Sequence, residues 1–445
     1  MSKRLTRVRR AGRYGTCLIA VLAVIAAFNN ADGMALGLVL QSVKATYRVS
    51  DTQLGLMTGI AFSLFYSVLG VPIGRWADRG NRVAIIAASV AVRSAMVMLM
   101  GSARSFGQLL LIRVGVAAGE AGFFPPALSL LADGFNQAER PQAVGKVFAG
   151  GALSAVIGYF VGGWLNRRYG WQTMFLLLGM SGPILIGLVL LTLHEPRSAG
   201  GRNAYEGGAK PEASCPPVAE VARVLWRNKT LRHLVTAICI SSFFGAGTVQ
   251  WQPAFFIRSH GADTVKLGVW FSLMFGPGAA AAMYCGGILA SRFAPRNERL
   301  QLKVMAALNG AFGLISAGAY LSSNQGTALT FVGIATVGVL LQGGPLYAVI
   351  QTIVPETMLA TTVSIVFLIS NLVGTGLGPL AVGSLSDAMR PWLGNESLRF
   401  ALLATCPGFM WCAWHLARAA LTVRGDTAAA RGDIDCHATC MHAPL

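Results

Sequence analysis

Apolar stretches of roughly 18 to 25 residues recur about twelve times along the chain, each long enough to cross a ~30 Å hydrocarbon layer as a helix. They lie near 16–40, 52–73, 83–101, 106–131, 143–164, 172–193, 231–257, 265–290, 302–321, 327–353, 361–385 and 398–421. A segment in lipid must satisfy its own backbone hydrogen bonds, so the reading is an all-α integral membrane protein of twelve transmembrane helices. Composition agrees. Only 12% of the 445 residues are charged and 54% are apolar, whereas a soluble domain carries about 25% charged residues. That excludes an ordinary soluble enzyme and a disordered chain. The first stretch follows a basic head, but it is too long for a signal peptide and no small-residue cleavage site follows it, so it reads as an uncleaved helix.

Lys and Arg total 36 against 18 Asp and Glu, a net of +18. In a soluble chain this would suggest nucleic acid; here the cations sort by side. With both termini on one side of the bilayer, 25 fall on that side, 9 on the other, and Arg93 and Arg113 lie within spans. The positive-inside rule therefore places both termini in the cytoplasm, as expected of a multi-pass protein of the plasma membrane, and removes the need for a nucleic-acid partner.

A polar gap rich in Gly and Pro, 194–230, divides the spans six and six. The expected organisation is a basic tail (1–15), a six-helix bundle (16–193), a cytoplasmic linker (194–230), a second six-helix bundle (231–422) and a disordered tail (423–445). The end of the linker, from Val218 to Asn228, fits an amphipathic helix at the membrane surface. Gly115-x3-Gly119 and Gly158-x3-Gly162 offer bare faces where helices can approach closely. The halves echo each other: Gly74-x3-Asp78-Arg79 ends the second span, and Gly287-x3-Ser291-Arg292 ends the eighth. Internal repeats of this kind are the architecture of many secondary transporters.

The stretch Gly74-Arg75-Trp76-Ala77-Asp78-Arg79-Gly80-Asn81-Arg82 resembles the loop signature of the major facilitator superfamily. Ser50-Asp51-Thr52-Gln53-Leu54-Gly55, Arg113 to Gly122, Pro125-Pro126 with Asp133-Gly134-Phe135, Gly170-Trp171, Gly376-Leu377-Gly378-Pro379 and Ser386-Asp387 narrow the resemblance to its spinster-like branch. Organic-anion symporters of the same superfamily share a similar fourth-span run. The resemblance implies two pseudo-symmetric bundles alternating access to a central site, usually driven by a proton or ion gradient. It also implies a conformational latch at Gly74, Asp78, Arg79 and Arg82, in which Asp78 meets the positive end of a helix from the other half. A purely structural turn is the plainer alternative, and Ser291 leaves the second copy without a carboxylate.

Ionisable groups within a membrane are costly and usually functional. Of the 18 acidic residues, only Asp32 and Glu120 escape loops, tails and span ends, and no histidine lies centrally. Arg113 is about 10 Å and Asp32 about 12 Å from the outer surface at 1.5 Å per residue, so they share a level. Glu120 lies two helical turns beyond Arg113 on one face, and Arg93 is at a similar depth. The family's intramembrane Asp, Arg and Glu carry over to Asp32, Arg113 and Glu120 as a proton-coupling site; a static polar network is the alternative. Two departures from the spinster-like pattern stand out. Gly33 follows Asp32 where Arg is common, and Arg93 stands where an aromatic is common. Arg93 either offsets the missing cation or pairs with Glu120.

Asn29, Asn30, Trp251, Tyr347, Gln351 and Asn371, with Gln250 and Gln252, are candidate substrate contacts or interhelical bonds. The two arginines lean the cargo toward a small anionic or amphipathic organic solute. No cofactor or metal is expected: the tail's Cys436, His437, Cys440 and His442 lack the spacing of a standard zinc site. Nothing converges as a catalytic nucleophile, base or metal cluster, so an enzyme is not expected. The expected protein is a proton-coupled secondary transporter acting as a monomer; a passive facilitator, an organic-anion symporter and a nontransporting sensor on the same fold are the rivals.

Overall fold

The computed structural model describes residues 2–136, 139–195, 218–294 and 297–441, which are helical and contain no strand. Ten continuous helical stretches among them are long and apolar enough to cross a membrane. Two of these, Gln142–Thr192 and Thr361–Thr427, have 51 and 67 residues, far more than one crossing needs. Each is interrupted by a glycine in a positive-φ conformation, Gly170 (φ 81°) and Gly394 (φ 54°), which lets the chain turn with little steric cost. The path therefore contains twelve crossings.

The starts of the crossings are written in short polar residues. Ser50 accepts the N–H of Gln53 at 3.2 Å while the Gln53 side chain accepts the Ser50 N–H at 2.9 Å, a reciprocal cap on the second span. Asn81, Ser105, Asn228, Asn297 and Asn324 cap the third, fourth, seventh, ninth and tenth in the same sense, and Asp263 caps the eighth. The last helix, Cys406–Met441, runs through residues expected to be a disordered tail. Ala428, Ala429 and Ala430 favour that continuation. The linker's expected amphipathic helix is present as Val218–Arg227, with Val221 and Leu225 buried in the second bundle's core and Trp226 exposed. The rest of the linker, 196–217, and the final residues 442–445 lie outside the described residues.

Packing divides the molecule unevenly between its two faces. On the cation-poor face one continuous core joins both halves, running from Leu36, Leu54 and Trp171 to Trp251, Phe271 and Leu398. On the cation-rich face each half closes its own core, around Leu22, Ile86 and Phe123 in the first bundle and around Leu231, Leu302 and Val423 in the second. The bundles are thus joined at one face and parted at the other.

Candidate functional site

The glycine pairs set the helix spacing at the buried charges. A Cβ on Gly119 would stand 2.6 Å from the Arg93 backbone nitrogen, and one on Gly115 would stand 2.6 Å from the Met96 sulfur, so the fourth span lies directly on the third. Gly158 and Gly162 press the fifth span onto the first at Met34 and Ala35. The first span is broken at Asn30, between helices Ser2–Asn29 and Ala31–Tyr47, a feature the hydropathy pattern does not contain. That break puts Asp32 in the first turn of a helix, where exposed N–H groups favour a carboxylate.

Two guanidinium groups hold this carboxylate. Arg113 Nη1 donates to Asp32 Oδ2 at 2.6 Å, and Arg93 Nη2 donates to Asp32 Oδ1 and to the Phe28 carbonyl. Arg113 also lies over the Phe62 ring, 4.4 Å from its centroid. Gly33 packs beside it: a Cβ there would make ordinary contact with Arg113 Nη2, at 3.4 Å. Asp32 is 2% exposed and Glu120 7%. Glu120 lies within electrostatic reach of Asp32, Arg93 and Arg113 but bonds to none of them among the described residues. Of the two roles open to Arg93, its geometry matches the second cation on Asp32, not a partner of Glu120. The Nε atoms of Arg93 and Arg113 and the Asn29 amide nitrogen are buried with no partner among the described residues, leaving donors at the site unspent.

The other candidates scatter. Asn30 is exposed at the break in the first span. Trp251 is wholly buried and its indole N–H donates to the Pro379 carbonyl at 2.9 Å, so it ties the seventh span to the eleventh and does not wall a cavity. Tyr347 stacks on Phe367 with centroids 5.2 Å apart, Gln351 is exposed, and Asn371 opens a π-helical turn, Asn371–Leu377. Gln250 Nε2 and Gln252 Oε1 are buried without partners among the described residues.

Among the described residues, no bond joins the expected latch to the second bundle. Gly74 has only Pro125 nearby and Arg79 is exposed; the Asp78 side chain is outside the described residues. Arg82 is fully buried and engaged within the first bundle. Its Nη2 and Nε donate to Glu195 Oε1 at 2.6 and 3.1 Å, and its Nη1 donates to Asp133 Oδ2 at 2.6 Å and to Ser129 Oγ at 3.0 Å. In this conformation Arg82 clamps the third, fourth and sixth spans together.

Among the described residues, charged bonds between the bundles lie on the opposite, cation-poor face, at carboxylates on span ends. Asp51 accepts Lys44 Nζ at 2.6 Å from its own bundle, then Arg258 Nη1 at 2.7 Å and Ser386 Oγ at 2.8 Å from the other. Asp387 returns the bond: it accepts the Asp51 N–H at 3.0 Å and the Thr52 N–H and hydroxyl at 2.7 Å each. Arg167 reaches Asp263 at 2.6 Å on the same face. The bundles are thus parted on the cation-rich side and bonded across the opposite face.

Comparison with known proteins agrees with this geometry. The model of the Major Facilitator Superfamily matches residues 22–379. An MFS-type efflux pump of Mycolicibacterium smegmatis is 28% identical over 400 residues, covering 89% of this chain and 90% of its own. A probable L-galactonate transporter of Escherichia coli is 24% identical over 411 residues, covering 90% and 87%. The crystal structure of a bacterial homologue of the human lysosomal transporter spinster, inward-facing and unoccupied, superposes with a TM-score of 0.82 at 28% identity, covering 93% of this chain and 98% of that one. The chain belongs to the major facilitator superfamily, a multi-pass membrane transporter and not an enzyme, and within that superfamily it resembles the spinster-like branch.

Proposed function

We propose that the protein is a proton-coupled transporter of a small organic anion, resident in the plasma membrane with both termini cytoplasmic. The observation that carries this is the charge balance at Asp32: two arginines bonded to one carboxylate, with a second carboxylate, Glu120, unbonded beside them. With Glu120 ionised the four groups sum to zero. With Glu120 protonated they leave one positive charge, which a carboxylate cargo would neutralise. Proton and anion would then enter the site together. Protonating Asp32 itself would release Arg113; an ion pair at ~4 Å is worth about 4 kcal/mol at an effective dielectric of 20, enough to bias the bundles between two states. The L-galactonate transporter among the relatives, whose named solute is a sugar acid, supports an anionic cargo for this chain as well.

The test uses purified protein in proteoliposomes. A thermal-shift screen of sugar acids, aromatic acids and lysolipids identifies a cargo. An imposed inward pH gradient is then expected to drive its accumulation. Glu120→Gln is expected to keep exchange of cargo across the membrane at equal pH while losing gradient-driven accumulation, and Asp32→Asn to lose both. Wild-type accumulation by both variants would overturn the assignment.

A further inference from the structure

We propose that the cation-poor face carries a second anion site, separate from the central one, that takes a multiply charged oxyanion, a phosphate or a dicarboxylate, and bridges the two bundles while they are joined on that side. The sequence puts only nine cations on this face. Four of them, Lys44, Arg48, Arg258 and Arg390, line a single cavity of about 500 Å³, a volume usual for a small-molecule site. They come from the ends of the first, seventh and eleventh spans, so both halves contribute.

The bonds already made explain only part of this convergence. Asp51 satisfies Lys44 and Arg258 from behind the cavity. Arg48 and Arg390 have no carboxylate partner among the described residues, so two positive charges face the cavity in surplus. Arg48 is the single non-glycine residue among those described with a positive φ, 54°, and its N–H is spent capping Lys44 O. This places its exposed side chain at the cavity rim, past the end of its helix. Gln41, which also lines the cavity, accepts the Arg258 Nε–H at its Oε1 at 2.8 Å and leaves its amide nitrogen buried with no partner among the described residues. Unspent guanidinium donors and an unspent amide in one cavity make a set that phosphate or carboxylate oxygens would satisfy. An occupant would bond Arg48 on one bundle and Arg390 on the other, adding to the closure that Asp51 and Asp387 provide.

The oxyanion could arrive as a free solute or as a lipid headgroup, and the experiment separates them. Protein in nanodiscs of phosphatidylcholine is titrated with inorganic phosphate and with succinate, against sodium chloride at equal ionic strength, and its apparent melting temperature followed. A parallel set contains phosphatidic acid or phosphatidylglycerol without added anion. A saturable rise in melting temperature in the first set assigns the site to a soluble anion, and a rise only in the second assigns it to a headgroup. In either case Arg48→Asn with Arg390→Gln is expected to weaken the effect roughly tenfold or more, the scale of a lost charge-assisted bond. Arg104→Gln, which removes an exposed cation elsewhere on the same face, is expected to leave it intact. Should the double variant fold poorly, Arg390→Gln alone carries the test, because Arg390 makes no ion pair among the described residues. No rise beyond the chloride control in either set, or a rise that survives loss of Arg48 and Arg390, overturns the proposal.

Discussion

Asp387, at the end of the eleventh span, accepts the backbone N–H groups of Asp51 and Thr52 at the start of the second, so a carboxylate on one bundle caps a helix on the other. The signature loop expected as a latch lies at the opposite end of the second span, where Asp78 ends it. The second and eleventh spans are antiparallel, and the eleventh presents Asp387 at its C-terminal end toward the N-terminal end of the second. The joined face therefore uses the arrangement that the signature loop is expected to use on the other face.

Asp387→Asn tests this relationship. The variant loses the charge that favours the helix N-terminus and turns an amide N–H toward a group of donors that includes two backbone N–H groups. A cost of about 1–3 kcal/mol is expected. Removed from the joined state alone, it shifts the equilibrium toward opening on the cation-poor face. Spin labels on Arg104 and Lys266, exposed residues of the first and second halves, should report a longer mean separation in the variant than in the wild type. An unchanged distance distribution would mean that the apolar core on that face holds it shut without Asp387.

Arg93→Gln separates the two cations on Asp32. Arg113 remains bonded, so the first bundle keeps its buried ion pair, but the surplus positive charge of the protonated site is gone. The expected result is a KM for an anionic cargo raised roughly tenfold or more, with Arg93→Lys retaining much of the affinity. A wild-type KM in Arg93→Gln would reduce Arg93 to a structural strut holding the Phe28 carbonyl.

Most of the fold was legible because lipid imposes a simple grammar: length, apolarity and the side on which cations fall. The buried charges were legible for the same reason, since Asp32, Glu120, Arg93 and Arg113 are conspicuous against an apolar background. What the sequence hid depends on breaks and partners. No hydropathy window registers the interruption at Asn30 that seats Asp32 at a helix N-terminus. A filter that searches for depth passes over Asp51 and Asp387, because a carboxylate at a span end looks solvated until its partners from the other bundle are known. Both stood in plain sight in the resemblance motifs, Ser50 to Gly55 and Ser386-Asp387, without a role attached. Arg82 shows the converse: its motif sets it beside Asp78, whereas its guanidinium bonds Glu195 after the sixth span, a partner distant in sequence.

Arg82→Gln distinguishes clamp from latch. Glu195 is 5% exposed at its side chain and also accepts the backbone N–H of residue 82 at 2.6 Å, which the variant keeps, so the loss of the guanidinium's charge-assisted bonds should cost about 1.5–3 kcal/mol of stability. The more exposed Asp133 adds little to that figure. A lower apparent melting temperature in detergent, with the distance between labels on the two bundles unchanged, is the expected outcome. A normal melting temperature with an altered distance would restore Arg82 to the latch.

Gly119→Ala asks whether helix spacing sets the charge geometry. The added Cβ meets the backbone of Arg93 at 2.6 Å, and backbone cannot rotate away as a side chain can, so the third and fourth spans must part. Overpacking of this kind costs about 1–3 kcal/mol. Because the contact is at Arg93 itself, the displacement also draws its guanidinium from Asp32. The expected variant is therefore both less thermostable and defective in gradient-driven uptake per folded molecule. Gly187→Ala is the control: a Cβ there meets nothing within 4 Å, so it should leave uptake unchanged and stability equal or slightly raised, as replacing a helical glycine with alanine usually does. If Gly119→Ala behaved like Gly187→Ala, the two spans would have slack between them, and the positions of Arg93 and Glu120 would not depend on the bare face of the fourth span.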